Sequence, residues 1–261
     1  MDDFGQLTRW LWASTAILEV FLLSLLVLRR NVNNYPAFSV YIFMTLAQSG
    51  LLFLAIQKWG FSSLMSWWIG WGTQAVVLGA RAFAVAELCW HILGRFRGIW
   101  ALSRRILVSS GAVVLGYALV TARHDWRLVL NTLELGLELA VAAVIVTVLL
   151  FARYYKVAVK PALRLLAIGF CGYSCISVLN DAILEKWLSS YVQLWNAFGM
   201  IAFLACLLVW NWAFRMPVAQ PANPAFIDGS IYMRLIPEVN WRLRSLDEQL
   251  IEMWRLEAPR S

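Results

Sequence analysis

Charged side chains that stand near the middle of long apolar stretches of this sequence include Arg81, Glu19, Glu134 and Glu138. A charge at the centre of a bilayer costs about 2.5–3.5 kcal/mol on insertion scales, so such side chains face the protein interior and have partners. An arginine among carboxylates can form a structural ion pair, or it can belong to a site that responds to a proton or a ligand. The residue types therefore point to buried ion-pair chemistry.

The depth of each residue predicts which charges meet. Arg81 lies near the middle of its apolar run, too far from either end for its side chain to reach water easily. Glu19 and Glu138 lie about nine or ten residues into their own runs, which places them at a similar depth at 1.5 Å per residue. Glu134 is one turn earlier than Glu138 on the same face. We expect Arg81 to pair with Glu138 or with Glu19.

The acids outnumber the base at this depth. One carboxyl group is then expected to be protonated or to bind a cation, because an ionised and unpaired buried carboxylate is too costly. Two interpretations follow. The network either fixes the order of the helices as a structural ion pair, or it forms a site that binds a proton or a ligand.

A second polar pair, Glu87 and His91, is spaced i and i+4 and therefore shares one helical face. Such a pair is compatible with a metal site or an acid–base dyad. The chain has only two histidines and no HExxH motif, so a three-histidine zinc site is excluded. We expect a polar pair that stabilises the helix, and we predict no catalytic residue, metal or cofactor.

A third group of polar residues falls in the outer halves of the predicted helices. Together they could form a small pocket open to the outside, or they could serve only as hydrogen-bonding links between helices. The candidate pocket residues are Asn131, Asn180, Asp181, Asn196 and Trp195.

The composition shows what must position these residues. Hydrophobic residues make up 61% of the 261 residues and charged residues 14%, and the mean hydropathy is +0.68. Soluble domains carry about 25% charged residues. The chain is therefore predicted to be an integral membrane protein, and its contact partner is the lipid bilayer. The net charge of +7 is attributed to basic loops and not to nucleic-acid binding.

Seven runs approach the roughly 20 residues that a bilayer-spanning helix needs. They are 10–28, 36–56, 71–93, 106–121, 128–151, 165–184 and 191–214. With the N-terminus outside, 16 of the 22 lysines and arginines fall on the cytoplasmic side, five fall outside, and Arg81 is in the membrane. The sequence thus predicts an all-α bundle of seven transmembrane helices, N-terminus outside and C-terminus cytoplasmic.

The tryptophans agree with this orientation. Most cluster at the predicted outer ends of the helices, as in the Trp67–Trp71 stretch, where indole rings sit at the level of the lipid headgroups. Some of these rings could instead line an outward-facing aromatic pocket.

The C-terminal part differs in character from the bundle. The domain division is a transmembrane domain over 1–215, a linker over 216–236 and a short amphipathic cytoplasmic helix over 237–257. The apolar residues of that helix follow 4-3-4-3 spacing, with tryptophans that widen the face. We expect this helix to dock on the bundle or membrane, to bind a cytoplasmic protein, or to self-associate.

The predicted topology resembles that of rhodopsins and of bacterial seven-helix sensor modules, in topology alone. The seventh run has no lysine, so a retinal Schiff base is excluded. We expect a sensor or receptor-like module that binds a small ligand within the bundle, located in a bacterial inner membrane. The alternative is a transporter or proton-coupled carrier that uses the Arg81–carboxylate network. An enzyme is disfavoured because the sequence shows no nucleophile or metal set.

Overall fold

The computed structural model describes residues 2–60, 63–94, 126–154, 159–187 and 192–215, together with scattered positions between 104 and 120 and between 241 and 252. Six long α-helices and one short 3-10 helix make up the described part, which contains no strand. The helices are α1 (Asp2–Leu28), α2 (Pro36–Trp59), α3 (Leu64–Leu93), α4 (Trp126–Tyr154), α5 (Pro161–Trp187) and α6 (Val192–Arg215), and the 3-10 helix is Asn31–Asn33.

The ends of these helices follow from local sequence signals. Pro36 and Pro161 occupy first positions, where the missing N–H costs no hydrogen bond. Ser63 caps α3, and its hydroxyl accepts a hydrogen bond from the backbone N–H of Ser66 at 3.1 Å. The residue after α2 is Gly60, whose positive φ of 80° a side chain would strain. Local sequence signals therefore account for the end of α2 and for the starts of α2, α3 and α5.

The six helices form a closed ring. Each packs against its neighbours in chain order, and α6 closes the ring on α1. Helix α3 also contacts α5 across the ring, and half of its most apolar window is buried. The helix that carries Arg81 is therefore the one most enclosed by the others.

The helices do not simply alternate in direction. Gln74 and Arg81 of α3 contact Glu134 and Glu138 of α4, so residue numbers rise together and the two helices are parallel. Helices α1 and α6 are also parallel, since Leu18 lies beside Asn211 and Arg29 beside Phe214. We call the end where α3 begins the Trp67 end of the bundle, and the end where α2 begins the Asn34 end.

The core between α2, α5 and α6 is aromatic. Trp210 is fully buried, and its indole N–H donates to the carbonyl of Leu166 at 3.3 Å. Phe38, Tyr41 and Phe170 surround it with ring centroids 4.8–6.1 Å away. Gly169 of α5 faces the same indole so closely that a methyl group there would overlap it. These rings lock three helices together.

All six α-helices are long and apolar enough to cross a membrane. Large apolar side chains such as Ile17, Phe43, Phe83 and Trp212 are exposed on their outer faces, as expected where lipid is the solvent. The described residues thus confirm the expectation of an all-α, multi-pass integral membrane protein.

Several predicted segments lie outside the described residues. Most of the fourth predicted run, 106–121, is among them, although the described positions between Arg104 and Val120 have helical backbone. The proposed linker, 216–236, is entirely outside them. Within 237–257 the described positions are helical, and these are Trp241, Ser245, Glu248, Gln249 and Glu252.

Candidate functional site

The centre of the bundle holds an ion pair between Arg81 of α3 and Glu138 of α4. Both side chains are almost wholly removed from the surface, with residue exposures of 3% and 0%. The hydroxyl of Ser174 on α5 donates to the second oxygen of Glu138 at 2.5 Å. One carboxylate therefore links three helices, and its two oxygens contact a cation and a hydroxyl donor.

Two tyrosines flank the guanidinium group of Arg81. Its carbon lies 4.6 Å from the ring centroid of Tyr173 and 5.6 Å from that of Tyr41. A buried guanidinium gains from such ring faces because they carry negative charge density where water is absent. The arginine is thus held by an acid on one side and by aromatic rings on others.

Glu19 occupies a separate position. It is 2% exposed on α1, close to Thr45 and Tyr41 of α2. The Thr45 hydroxyl donates to the carbonyl of Ile42 at 2.8 Å. Oε2 of Glu19 has no hydrogen-bond partner among the described residues. The ion pair of Arg81 is formed with Glu138, and Glu19 remains without a basic partner in the described part of the chain.

A cleft of about 390 Å³ lies between α2, α3 and α4, towards the Trp67 end. It combines apolar walls, two indole rings, two amides and one carboxylate. Its lining residues are Gln48, Leu52, Ile56, Ser66, Trp67, Gly70, Trp71, Gln74 and Glu134. This is the size and mixed character of a small-molecule site.

The polar wall of the cleft is a chain of hydrogen bonds. Gln48 Nε2 donates to Gln74 Oε1 at 2.8 Å, and Gln74 Nε2 donates to Glu134 Oε1 at 2.7 Å. Gln74 is seven residues before Arg81, and Glu134 is four before Glu138, so each pair shares a helical face. The cleft thus stands directly above the central ion pair, on the same two helices.

Glu87 and His91 lie at the other end of α3 and bind the start of α2. The Glu87 carboxylate accepts hydrogen bonds from the backbone N–H groups of Ala37 and Phe38 at 3.2 and 2.9 Å. His91 Nε2 lies 2.9 Å from the carbonyl of Asn34, and its ring contacts Tyr35. Burial raises the pKa of the Tyr35 hydroxyl, and the charge of Glu87 raises it further. Glu87 and His91 therefore link α3 to the start of α2 through hydrogen bonds.

The residues predicted to form an outer pocket are only partly described. Asn180 lies in α5 and is half-buried. Asn131, Asp181, Asn196 and Trp195 fall within the backbone of α4, α5 and α6, but their side chains lie outside the described residues. None of these five residues lines the cleft that the structure shows.

Sequence reasoning missed the amide chain and the two tyrosines. The signal for Gln74 was its spacing of seven from Arg81, which puts both on one face of α3. Tyr41 and Tyr173 gave no signal, because an aromatic residue in a membrane helix is ordinarily part of the packing. In the described residues no cluster of three metal-ligating side chains occurs. Comparison with protein-family models, curated proteins and solved structures finds no match.

Proposed function

We propose that this protein is a sensor or receptor-like membrane module that binds a small ligand in the cleft between α2, α3 and α4. The observation that carries the proposal is the cleft itself, in which a half-buried carboxylate and two amides converge beside two indole rings. Ligand sites in helix bundles have this composition, with apolar walls and a few placed polar groups.

The position of the cleft supports sensing. Its walls are the Trp67 ends of α2 and α3, while the Asn34 ends of the same helices are joined by the Glu87 and His91 contacts. A ligand that changed the spacing of α2 and α3 at the Trp67 end would strain the hydrogen bonds of Glu87 and His91 at the Asn34 end. The Asn34 end also holds Arg29, which donates to the carbonyl of Phe214 at the end of α6. A shift of the helices at the Asn34 end would therefore be transmitted to the end of α6, from which the chain continues into the tail.

We further infer that the chain crosses the membrane seven times. Helices α3 and α4 are parallel, so the intervening chain must return from the Asn34 end to the Trp67 end. Such a return runs the full length of a membrane-spanning helix, so it amounts to one more crossing. The distribution of basic residues supports an N-terminus outside and a tail in the cytoplasm. The bacterial inner membrane is the proposed location.

The alternative function is a proton-coupled carrier, and Glu19 is the observation that favours it. A buried carboxyl group without a basic partner is the kind of group that takes up and releases a proton during transport. It lies near Tyr41, which also contacts Arg81, so a proton at Glu19 would act on the central ion pair.

Gly70 gives a direct test of ligand binding. A methyl group at Gly70 enters the cleft at an ordinary contact distance of 3.5 Å from Leu52, whereas one at Gly72 on the same helix meets no atom within 4 Å. We expect small molecules from a mixed set of amines, acids, alcohols and sugars to raise the thermal unfolding temperature of the wild-type protein and of Gly72→Ala in lipid nanodiscs. Gly70→Ala should lose that response.

Two results would oppose the sensor proposal. If no compound stabilised the wild-type protein, the cleft would not be a ligand site. If binding were normal but proton-driven uptake into proteoliposomes followed, the carrier would replace the sensor, and Glu19→Gln should then abolish the uptake.

A further inference from the structure

The hydrogen-bond chain in the cleft determines which atoms remain for a ligand. A carboxylate can only accept hydrogen bonds, so Gln74 must turn its NH₂ group towards Glu134. The carbonyl of Gln74 then faces Gln48, which must donate its own NH₂ group. The orientation of both amides is therefore fixed by the charge of Glu134 and not by a free choice of rotamer.

The atoms left over are mostly acceptors. Oε2 of Glu134 and Oε1 of Gln48 have no hydrogen-bond partner among the described residues. The hydroxyl of Ser66 is already used, since it donates to the carbonyl of Gly60 at 2.8 Å. A ligand that fits this wall must bring donors.

The charge balance points the same way. Arg81, the nearest buried base on α3, is committed to Glu138. Among the side chains that the structure describes in α2, α3 and α4, no base forms an ion pair with Glu134. The nearby Lys58 of α2 lies over the ring of Trp59, 4.9 Å from its centroid. The cleft thus carries one negative charge that the described chain does not neutralise.

The aromatic side of the cleft suits a cation too. Trp67 and Trp71 are one turn apart on α3 with their centroids 6.1 Å apart, and both line the cleft. Indole faces attract ammonium groups, and more strongly where water is displaced. Leu52 and Ile56 supply an apolar wall for a hydrocarbon part.

We propose that the ligand of this cleft is a small organic ammonium ion, held by the carboxylate of Glu134 and the carbonyl of Gln48 with its hydrocarbon part against the indole rings. The proposal rests on the ligand-binding function proposed above and adds the chemical class. An anion is repelled by Glu134, and a neutral ligand leaves that charge uncompensated.

Three probes of nearly the same shape test the class. They are 2-phenylethylamine, 2-phenylethanol and phenylacetate, titrated by calorimetry into wild-type protein in nanodiscs of zwitterionic lipid. Gly70→Ala is measured in parallel, so that partition into lipid can be subtracted. We expect the amine to bind about tenfold or more tightly than the alcohol, and phenylacetate to bind least.

Two variants assign the preference to residues. Glu134→Gln keeps an acceptor for Gln74 but removes the charge, and it should bring the affinity for the amine down to that of the alcohol. Trp71→Leu should weaken the amine several-fold while Gly72→Ala leaves it unchanged. Thermal unfolding of each variant shows whether it is folded, and Trp71→Leu carries the test if Glu134→Gln is not.

The outcomes separate the two proposals. Equal or tighter binding of 2-phenylethanol or phenylacetate would overturn the ammonium class and leave ligand binding in the cleft intact. Failure of the amine to bind, or an amine preference that survives both Glu134→Gln and Trp71→Leu, would also overturn the class. Absence of any binder in the mixed set would instead overturn the function on which the class rests.

Discussion

At the scale of single residues, Glu138 has the largest structural consequence. Its two oxygens contact Arg81 and Ser174, so one side chain joins α3, α4 and α5 in the middle of the bundle. Removing one member of a buried pair strands the other charge, which costs more than the pair itself contributes. The pair is therefore tested by comparing single and double substitutions.

We expect Glu138→Gln and Arg81→Met each to lower the free energy of unfolding by about 3–5 kcal/mol, since each leaves a buried partner unsatisfied. The double variant should lose much less than the sum. The measurement is a double-mutant cycle on unfolding in mixed micelles. Additive losses would show that the two side chains do not act as a pair.

Glu19 carries the second prediction at this scale. Glu19 is 2% exposed and forms no ion pair with a basic side chain of the described residues, so its ionised form would be buried without compensation. We expect Glu19 to be protonated in the resting protein. Infrared spectra should show the carbonyl band of a protonated carboxylic acid that Glu19→Gln removes, while the unfolding free energy changes by less than about 1 kcal/mol.

Glu138→Gln is the control for that band. Glu138 is ionised in its pair with Arg81, so its replacement should leave the protonated-acid band in place. A band that disappears with Glu138→Gln, or a spectrum without one in the wild-type protein, would contradict the assignment and remove the observation that favours a proton-coupled carrier.

At the scale of elements, the contact of α5 with α6 depends on one glycine. Gly169 leaves room for the indole of Trp210, and its carbonyl accepts a hydrogen bond from the thiol of Cys206 at 3.2 Å. Small residues permit this close approach of helices in membranes, where packing and not the hydrophobic effect drives association. The helix pair should therefore be sensitive to volume at this one position.

We expect Gly169→Ala to destabilise the protein by about 1–3 kcal/mol, the usual cost of overfilling a packed core. Gly172→Ala, one turn away on α5, meets no atom within 4 Å and should be neutral. Chemical unfolding of the two variants side by side makes the comparison. Equal effects of both would indicate a loss of helix flexibility and not a clash with Trp210.

The start of α2 supports a further prediction at this scale. Glu87 accepts two of the N–H groups that a helix leaves without partners at its first turn, and its charge suits the positive end of the helix dipole. Glu87→Ala should cost about 1 kcal/mol and speed hydrogen exchange at the amides of Ala37 and Phe38. Unchanged exchange there would mean that water satisfies these groups equally well.

The elements also show what the sequence could predict. Apolar runs located six helices, because hydrocarbon solvent demands a long apolar helix and little else. Helices α1 and α3 begin eight and seven residues before the predicted runs, at Asp2 and Leu64, because a helix continues beyond its most apolar part. Counting residues from the ends of the apolar runs put both Glu19 and Glu138 at the depth of Arg81. It could not choose between them, because residue counts give the depth of a side chain but not the rotation of its helix. The choice of Glu138 depends on side-chain packing by Tyr41 and Tyr173, which no single helix encodes.

At the scale of the whole molecule, the directions of the helices bear on the number of crossings. Helices α1 and α6 are parallel, and so are α3 and α4, which is compatible with one further passage of the chain through the membrane between α3 and α4. A chain with only six crossings in strict alternation would make α1 and α6 antiparallel. The arrangement inside the bundle and the distribution of basic residues along the chain are independent observations, and both support the proposal of seven crossings.

The sidedness is open to direct labelling. In a variant lacking Cys89, Cys171, Cys175 and Cys206, single cysteines at Gln6, Lys58 and Ser245 would be probed in intact cells with a membrane-impermeant maleimide. Because α1 begins and α2 ends at the Trp67 end, Gln6→Cys and Lys58→Cys should react together, and Ser245→Cys only after lysis. Reaction of all three in intact cells would place both termini on one side, which an odd number of crossings forbids. Reaction of Ser245→Cys alone would keep seven crossings but invert the protein, and the cleft would then open to the cytoplasm and receive its ammonium ligand from inside the cell.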